Sequence, residues 1–263
     1  GFTLAPSAAR WSKGGNRMKK VLKCCSALML TAMILMTTVG CGYKEAGDFL
    51  LEKVGDGYAI MDLSEEGYQK KEIFIYDQIG RYNILYISKG SSFSRDFPII
   101  DSQVLEKVYF VDYVPSRKIS FFGHCFNLKR IIRQNAKELL TDNDDFLFPS
   151  SNNRIKQYFK KEDYLQYNYL DYMYPANVSY YLNYEAEGSD GYHWIDDYDY
   201  GTKITYIPDD PEREGYTFSG WYKEEDCINK WDFETDTLPE AILDEEGEPV
   251  YQETKLFAKW IQE

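Results

Sequence analysis

Gly215-Tyr-Thr-Phe-Ser-Gly-Trp-Tyr222 is the stretch whose reading decides the fold. Two glycines bracket an alternating run, Tyr216-Thr217-Phe218-Ser219, the period-2 pattern of a half-buried strand. Glycine is favoured where the backbone needs a positive φ or a close approach, so Gly215 marks a turn and Gly220 a bulge. Two more aromatic blocks follow, Trp231-Asp-Phe233 and Leu256-Phe-Ala-Lys-Trp260. Trp221, Trp231, Phe233 and Trp260 are bulky enough to fill the core of a small domain, where core volume is scarce. They read as core and not as a ligand-stacking set.

The order and spacing of these blocks resemble the internalin B-repeat, also called the Listeria–Bacteroides repeat. The residues that carry the resemblance are Gly215, Tyr216, Phe218, Gly220, Trp221, Tyr222, Trp231, Phe233, Leu256, Ala258 and Trp260. It extends over most of residues 175–263. Val178–Tyr184 reads as the first strand, and Tyr200–Ile204 with Pro208–Gly215 as the connector before the glycine-aromatic block. The chain departs from the family pattern in an acidic insertion, Pro239–Gln252, and in Glu185-Ala-Glu-Gly188. The resemblance implies a small β-grasp-like domain of a bacterial surface protein.

Upstream, Leu105-Glu-Lys-Val108 and Leu128-Lys-Arg-Ile131 repeat an L-x-x-V/I pattern at an offset of 23 residues. That period falls within the range of leucine-rich repeats. Ile73, Ile75, Ile79, Ile84, Ile87 and Phe93 supply a looser earlier copy, and Phe122, Cys125 and Leu128 add a spaced apolar triplet. Together they resemble the BspA-type leucine-rich repeat, implying a short, irregular solenoid over residues 49–174. About three stacked copies is near the lower limit for a stable solenoid. Ile155-Lys-Gln-Tyr158-Phe159 is expected as a helical turn in a closing repeat. An ordinary small α+β domain is the alternative for this region. Cys125 reads as a buried small hydrophobe.

The front of the chain carries its own pattern. Lys19, Lys20 and Lys23 precede an apolar run from Cys24 to Val39, short for a spanning helix and suited to a signal peptide. Thr38-Val39-Gly40-Cys41 resembles a bacterial lipobox, which implies lipidation at Cys41 and anchoring to the outer face of the cell membrane. An ordinary cleaved signal or an uncleaved anchor are the alternatives. Residues 1–17 read as untranslated leader, 18–40 as signal peptide and 41–48 as linker.

Beyond residue 40 there are 24 basic and 43 acidic residues, hence a formal charge of −19. Such a chain offers no electrostatic footprint for nucleic acid. Cys125 and Cys227 are the cysteines left after Cys41, too few for a disulfide framework. Asp142-Asn-Asp-Asp145 and Asp196-Asp-Tyr-Asp199 lack the spacing of a calcium loop and read as solvated loops, so no metal is expected. His124 and His193 fall in different predicted domains, and neither a nucleophile elbow nor a phosphate-binding glycine loop is present. The expectation is no catalysis and no cofactor. Twelve tyrosines lie between Tyr158 and Tyr200. Tyrosine gives rigid amphipathic contact area at low entropic cost, so Tyr184, Tyr192, Trp194, Tyr198 and Tyr200 are the candidate binding face.

The sequence thus predicts a mainly β surface lipoprotein: a short irregular leucine-rich solenoid, then a small β-grasp-like repeat domain. Its expected work is non-catalytic binding of a protein or a host surface, with membrane contact through the lipid alone. A structural stalk without a ligand is the alternative, and a degraded gene product a third reading.

Overall fold

Short runs of β-branched and aromatic residues, cut by glycine turns, form three sheets. The computed structural model describes residues 42–87, 100–112, 122, 125–134, 155–166, 173–185 and 187–263. Residues Lys44–Glu263 form one compact unit. In chain order the first strands are β1 (Lys44–Ala46), β2 (Phe49–Val54), β3 (Gly57–Leu63), β4 (Glu72–Ile75), β5 (Gln78–Ile79) and β6 (Tyr82–Ile87). Five of them make a sheet in the order β1-β2-β3-β6-β5. Its hairpins turn at Gly47 and Gly55, both with positive φ.

The second sheet begins with β4 and adds β7 (Lys107–Phe110), β8 (Arg130–Arg133), β9 (Lys156–Phe159) and β10 (Met173–Pro175). Every neighbouring pair is parallel, and the five strands lie side by side in chain order. Register then fixes two transverse rows that share one face of the sheet. One row is Glu72, Lys107, Arg130 and Lys156; the other is Phe74, Tyr109, Ile132, Tyr158 and Tyr174. The opposite face carries Ile73, Ile75, Val108, Phe110 and Ile131 into a core shared with Phe49, Leu51, Ile60, Leu63, Ile84 and Ile87. Leu105, Leu128, Phe122 and Cys125 complete that core, and Ile100 and Phe122 form a parallel bridge. Burial pushes the Cys125 thiol up to about 11.

Ile155–Phe159 is not a helical turn: Lys156–Phe159 is strand β9, held between β8 and β10. The difference has a physical cause. Gln157, Tyr158 and Phe159 are all buried, because both faces of this sheet are covered. A strand covered on both sides loses the polar alternation that would announce it. The helix lies just downstream, as α1 (Lys161–Gln166).

The third sheet contains β11 (Val178–Tyr181), β12 (Tyr192–Asp196), β13 (Tyr216–Tyr222) and β14 (Thr254–Gln262) in the order β12-β11-β14-β13. β11 and β14 are parallel; the outer pairs are antiparallel. Gly215 takes φ +75° ahead of β13, and Gly220 takes φ +112° at a register shift between Phe218 and Trp221, a bulge. Trp221, Trp231, Leu256 and Ala258 are buried, with Phe218, Phe233 and Trp260 packed half-buried beside them. Tyr216 pairs with Gln262 and Tyr222 with Phe257. The fold is mainly β, as the sequence predicts.

A candidate binding cleft at the seam of two sheets

The row Phe74–Tyr109–Ile132–Tyr158 does not face solvent. It packs against Trp194, Ile195, Tyr198 and Tyr206 from the region of the third sheet, in one hydrophobic core. Phe74 and Tyr109 stack at 4.4 Å, and Trp194 and Tyr206 lie against them. The second core therefore belongs to both sheets, and the face of the parallel sheet is filled from within the molecule.

Charges meet along the neighbouring row. Asp196, fully buried, accepts from Lys107 Nζ at 2.9 Å and from the Tyr109 hydroxyl at 2.8 Å. Lys107 donates also to the Asp197 carbonyl, and its ammonium lies 4.0 Å from the Tyr198 ring centre. Arg130 Nε donates to Asp197 at 2.7 Å and Nη2 to Asp199 at 2.5 Å. Burial pushes the Asp197 carboxyl up to about 6, although Arg130 opposes the shift. Gln134 exchanges hydrogen bonds with both backbone groups of Ile195, and Asn177 does the same for Tyr198.

This corrects the reading of Asp196-Asp-Tyr-Asp199 as a solvated loop. Asp196 and Asp197 are buried, since each finds a cation on the parallel sheet. A buried carboxylate persists when paired and hydrogen-bonded, and this pair of strands supplies both. The charged partners were present in the sequence as the corresponding x positions of the L-x-x-V/I repeats, Lys107 and Arg130, 23 residues apart. Among the described residues no group of three His, Cys, Asp or Glu is arranged to hold a metal ion.

Beside the seam opens a cleft of about 710 Å³. Arg130, Lys156 and Tyr158 reach it from the parallel sheet, Lys161, Tyr164 and Leu165 from α1. Tyr174 lies on β10; Asp199, Tyr200, Pro249 and Tyr251 come from loops around the third sheet. The tyrosine tips are tied down: Tyr251 donates to the Ala176 carbonyl, and the Tyr200 hydroxyl accepts from the Gln252 amide. A cavity of this size with aromatic walls and a few polar groups has the character of a ligand site.

The predicted binding face is divided by the structure. Trp194 and Tyr198 are buried in the seam, and Tyr198 and Tyr200 line the cleft. Tyr192 is bonded to Glu162 and Tyr181, and Tyr184 sits under Arg213 against Trp260. His193 is half-buried, stacked on Trp221 with a ring nitrogen 2.7 Å from the Asp209 carbonyl. Lys156, Lys161 and Tyr251 escape the sequence reading, and Tyr164 and Tyr174 fall in the tyrosine-rich stretch but outside the predicted face. The consecutive β9, α1 and β10 supply all of these but Tyr251, which comes from a distant loop. Cys41, His124 and Asp142–Asp145 lie outside the described residues.

Residues 180–243 match the family model of the Listeria-Bacteroides repeat domain. Two relatives come from Evansella cellulosilytica, and their names describe them as inferred membrane proteins, the second as Gly-rich. The first is 32% identical over 123 residues, covering 47% of this chain and 14% of the relative. The second is 40% identical over 62 residues, covering 24% of this chain and 6% of the relative. This chain thus spans a small part of the length of either. The matches fit a surface or membrane protein. Among the described residues no helix is long and apolar enough to cross a membrane.

Proposed function

We propose that this chain is an exported bacterial surface protein, held to the outer face of the membrane by a lipid on Cys41, that binds a protein or host surface without catalysis. The observation that carries the reading is the repeat-domain match over residues 180–243, the same region that builds the seam and one side of the cleft. In this reading the parallel sheet is the spine of a short leucine-rich solenoid. Leu105 and Leu128 occupy equivalent buried positions, and Ile100 and Phe122, a few residues before them, pair in a parallel bridge as successive coils would. The third sheet, with a central parallel pair flanked by antiparallel strands, is the β-grasp-like repeat.

The two modules divide the work. Because the repeat domain fills the face of the parallel sheet, recognition falls to the cleft at its edge. The alternative of an envelope-spacing stalk draws on the same docking, which stiffens the two modules into one body. Exposed apolar groups around the cleft favour binding.

Mass spectrometry of the protein purified from membranes of the native bacterium tests the reading. The expected N-terminal peptide begins at a diacylated Cys41. A peptide carrying Gly1–Arg17, or an unmodified Cys41 in the cytoplasmic fraction, overturns it.

A further inference from the structure

Three cations stand next to one another on the parallel sheet, and two are spent inside the molecule. Lys107 is taken by Asp196, and Arg130 by Asp197 and Asp199. Lys156, beside Arg130 in register, is exposed and meets no carboxylate among the described residues. Its ammonium rests 4.6 Å from the centre of the Tyr174 ring. Lys161, the first residue of α1, is in the same condition, 5.7 Å from the Tyr251 ring centre. Asp197, Asp199 and Glu248 also line the cleft, the first two bonded to Arg130. The two lysines rest on ring faces, meet no carboxylate among the described residues, and so mark the place in the cleft for an anion.

The surroundings say what kind of anion. Leu165, which lines the cleft, is 62% exposed, and the loop that brings Ala241 and Pro249 to it exposes Ile242 and Leu243 to 57% and 59%. Exposed aliphatic surface gives nothing to a free inorganic anion and matches an aliphatic side chain. Tyrosine walls with anchored hydroxyls supply rigid contact area of the kind that recognises polypeptide.

We propose that the cleft binds an acidic peptide segment of a partner protein, its carboxylate taken by Lys156 and Lys161 and a neighbouring aliphatic side chain set against Leu165 and the tyrosine walls. The segment Asp196–Asp199 shows the same chemistry in place: its carboxylates occupy the first two cations of the row, and the partner's carboxylate extends the series to the third. The proposal rests on the reading of the chain as a binding protein.

The test uses the full chain in mild detergent on an array of synthetic ten-residue peptides that vary in Asp/Glu, Lys and Leu/Ile content, followed by anisotropy titration of the retained peptides. Peptides with an acid close to Leu or Ile are expected to be retained. The Lys156→Glu/Lys161→Glu variant is expected to bind them at least ten-fold more weakly with an unchanged circular dichroism spectrum. Tyr164→Ala should weaken binding several-fold, and Lys53→Glu, on β2, should leave it unchanged. Retention of acidic peptides that ignores the double substitution overturns the cleft assignment and leaves the binding-protein reading standing. Selection of basic peptides, of oligogalacturonate in a parallel saccharide array, or of no peptide at all overturns the proposal. The Cys41 mass decides surface location independently of this titration.

Discussion

Asp197 carries a cost that its neighbours only partly offset. Burial raises its carboxyl to about 6 from the ordinary 3.8, while at neutral pH the ionised group is held by Arg130. A carboxyl that binds its proton more tightly in the folded state contributes stability that is fully present below about 3.8 and is lost as pH rises through about 6. A tenfold change in proton affinity is worth about 1.4 kcal/mol, so the loss is on the order of 3 kcal/mol. The stability of the wild type relative to Asp197→Asn is therefore expected to fall by that amount between pH 4 and pH 7 in urea titrations. A carbon-detected NMR titration should place the Asp197 midpoint near 6; a midpoint below 4 would contradict the burial argument.

At the scale of elements, the bulge in β13 holds the aromatic block in register. Gly220 sits at φ +112°, outside the left-handed helical region that other residues tolerate. A Cβ there would meet only the flexible end of the Lys230 side chain, which can swing aside, so the backbone angle sets the cost. Gly215, at φ +75°, has open space around the same position. Gly220→Ala is expected to cost roughly 2–3 kcal/mol and Gly215→Ala about 1 kcal/mol, read from urea midpoints. Equal costs would mean that the bulge is not under strain. This element was legible in the sequence, because glycine position and aromatic alternation are local signals. The buried apolar positions of the L-x-x-V/I copies were legible for the same reason. The seam was not: Lys107 and Arg130 look like solvated repeat residues until Asp196 and Asp197 arrive from about ninety and seventy residues downstream. The cleft was half legible. The tyrosine-rich stretch pointed to Tyr198 and Tyr200, whereas Lys156, Lys161 and Tyr251 join them only through the meeting of α1, β9 and a distant loop. Strand β9 hides from a sequence reading because the seam covers the face that would otherwise have been polar.

For the molecule as a whole, the seam is expected to make the second and third sheets unfold as one. Removing Asp196 would strand Lys107 and the Tyr109 hydroxyl in a buried site, a loss of roughly 3–5 kcal/mol. Four of the five tryptophans, Trp194, Trp221, Trp231 and Trp260, lie in or against the third sheet, and the fifth, Trp11, precedes Cys41. In a chain that begins at Cys41, tryptophan fluorescence therefore follows the third sheet while circular dichroism follows both sheets. The two urea transitions are expected to coincide in the wild type and to separate in Asp196→Ala; coincidence in the variant would show that apolar packing alone couples the modules. The order of strands also has a consequence in time. β14 sits between β11 and β13, yet it follows both in the chain. In any process that delivers the polypeptide from its N-terminus onward, such as translation or passage through an export channel, β11 and β13 arrive before the strand that joins them. Until then each has an open edge facing the vacant central place. The third sheet closes by late insertion of its own middle, and that interval is when a chaperone has the most to protect.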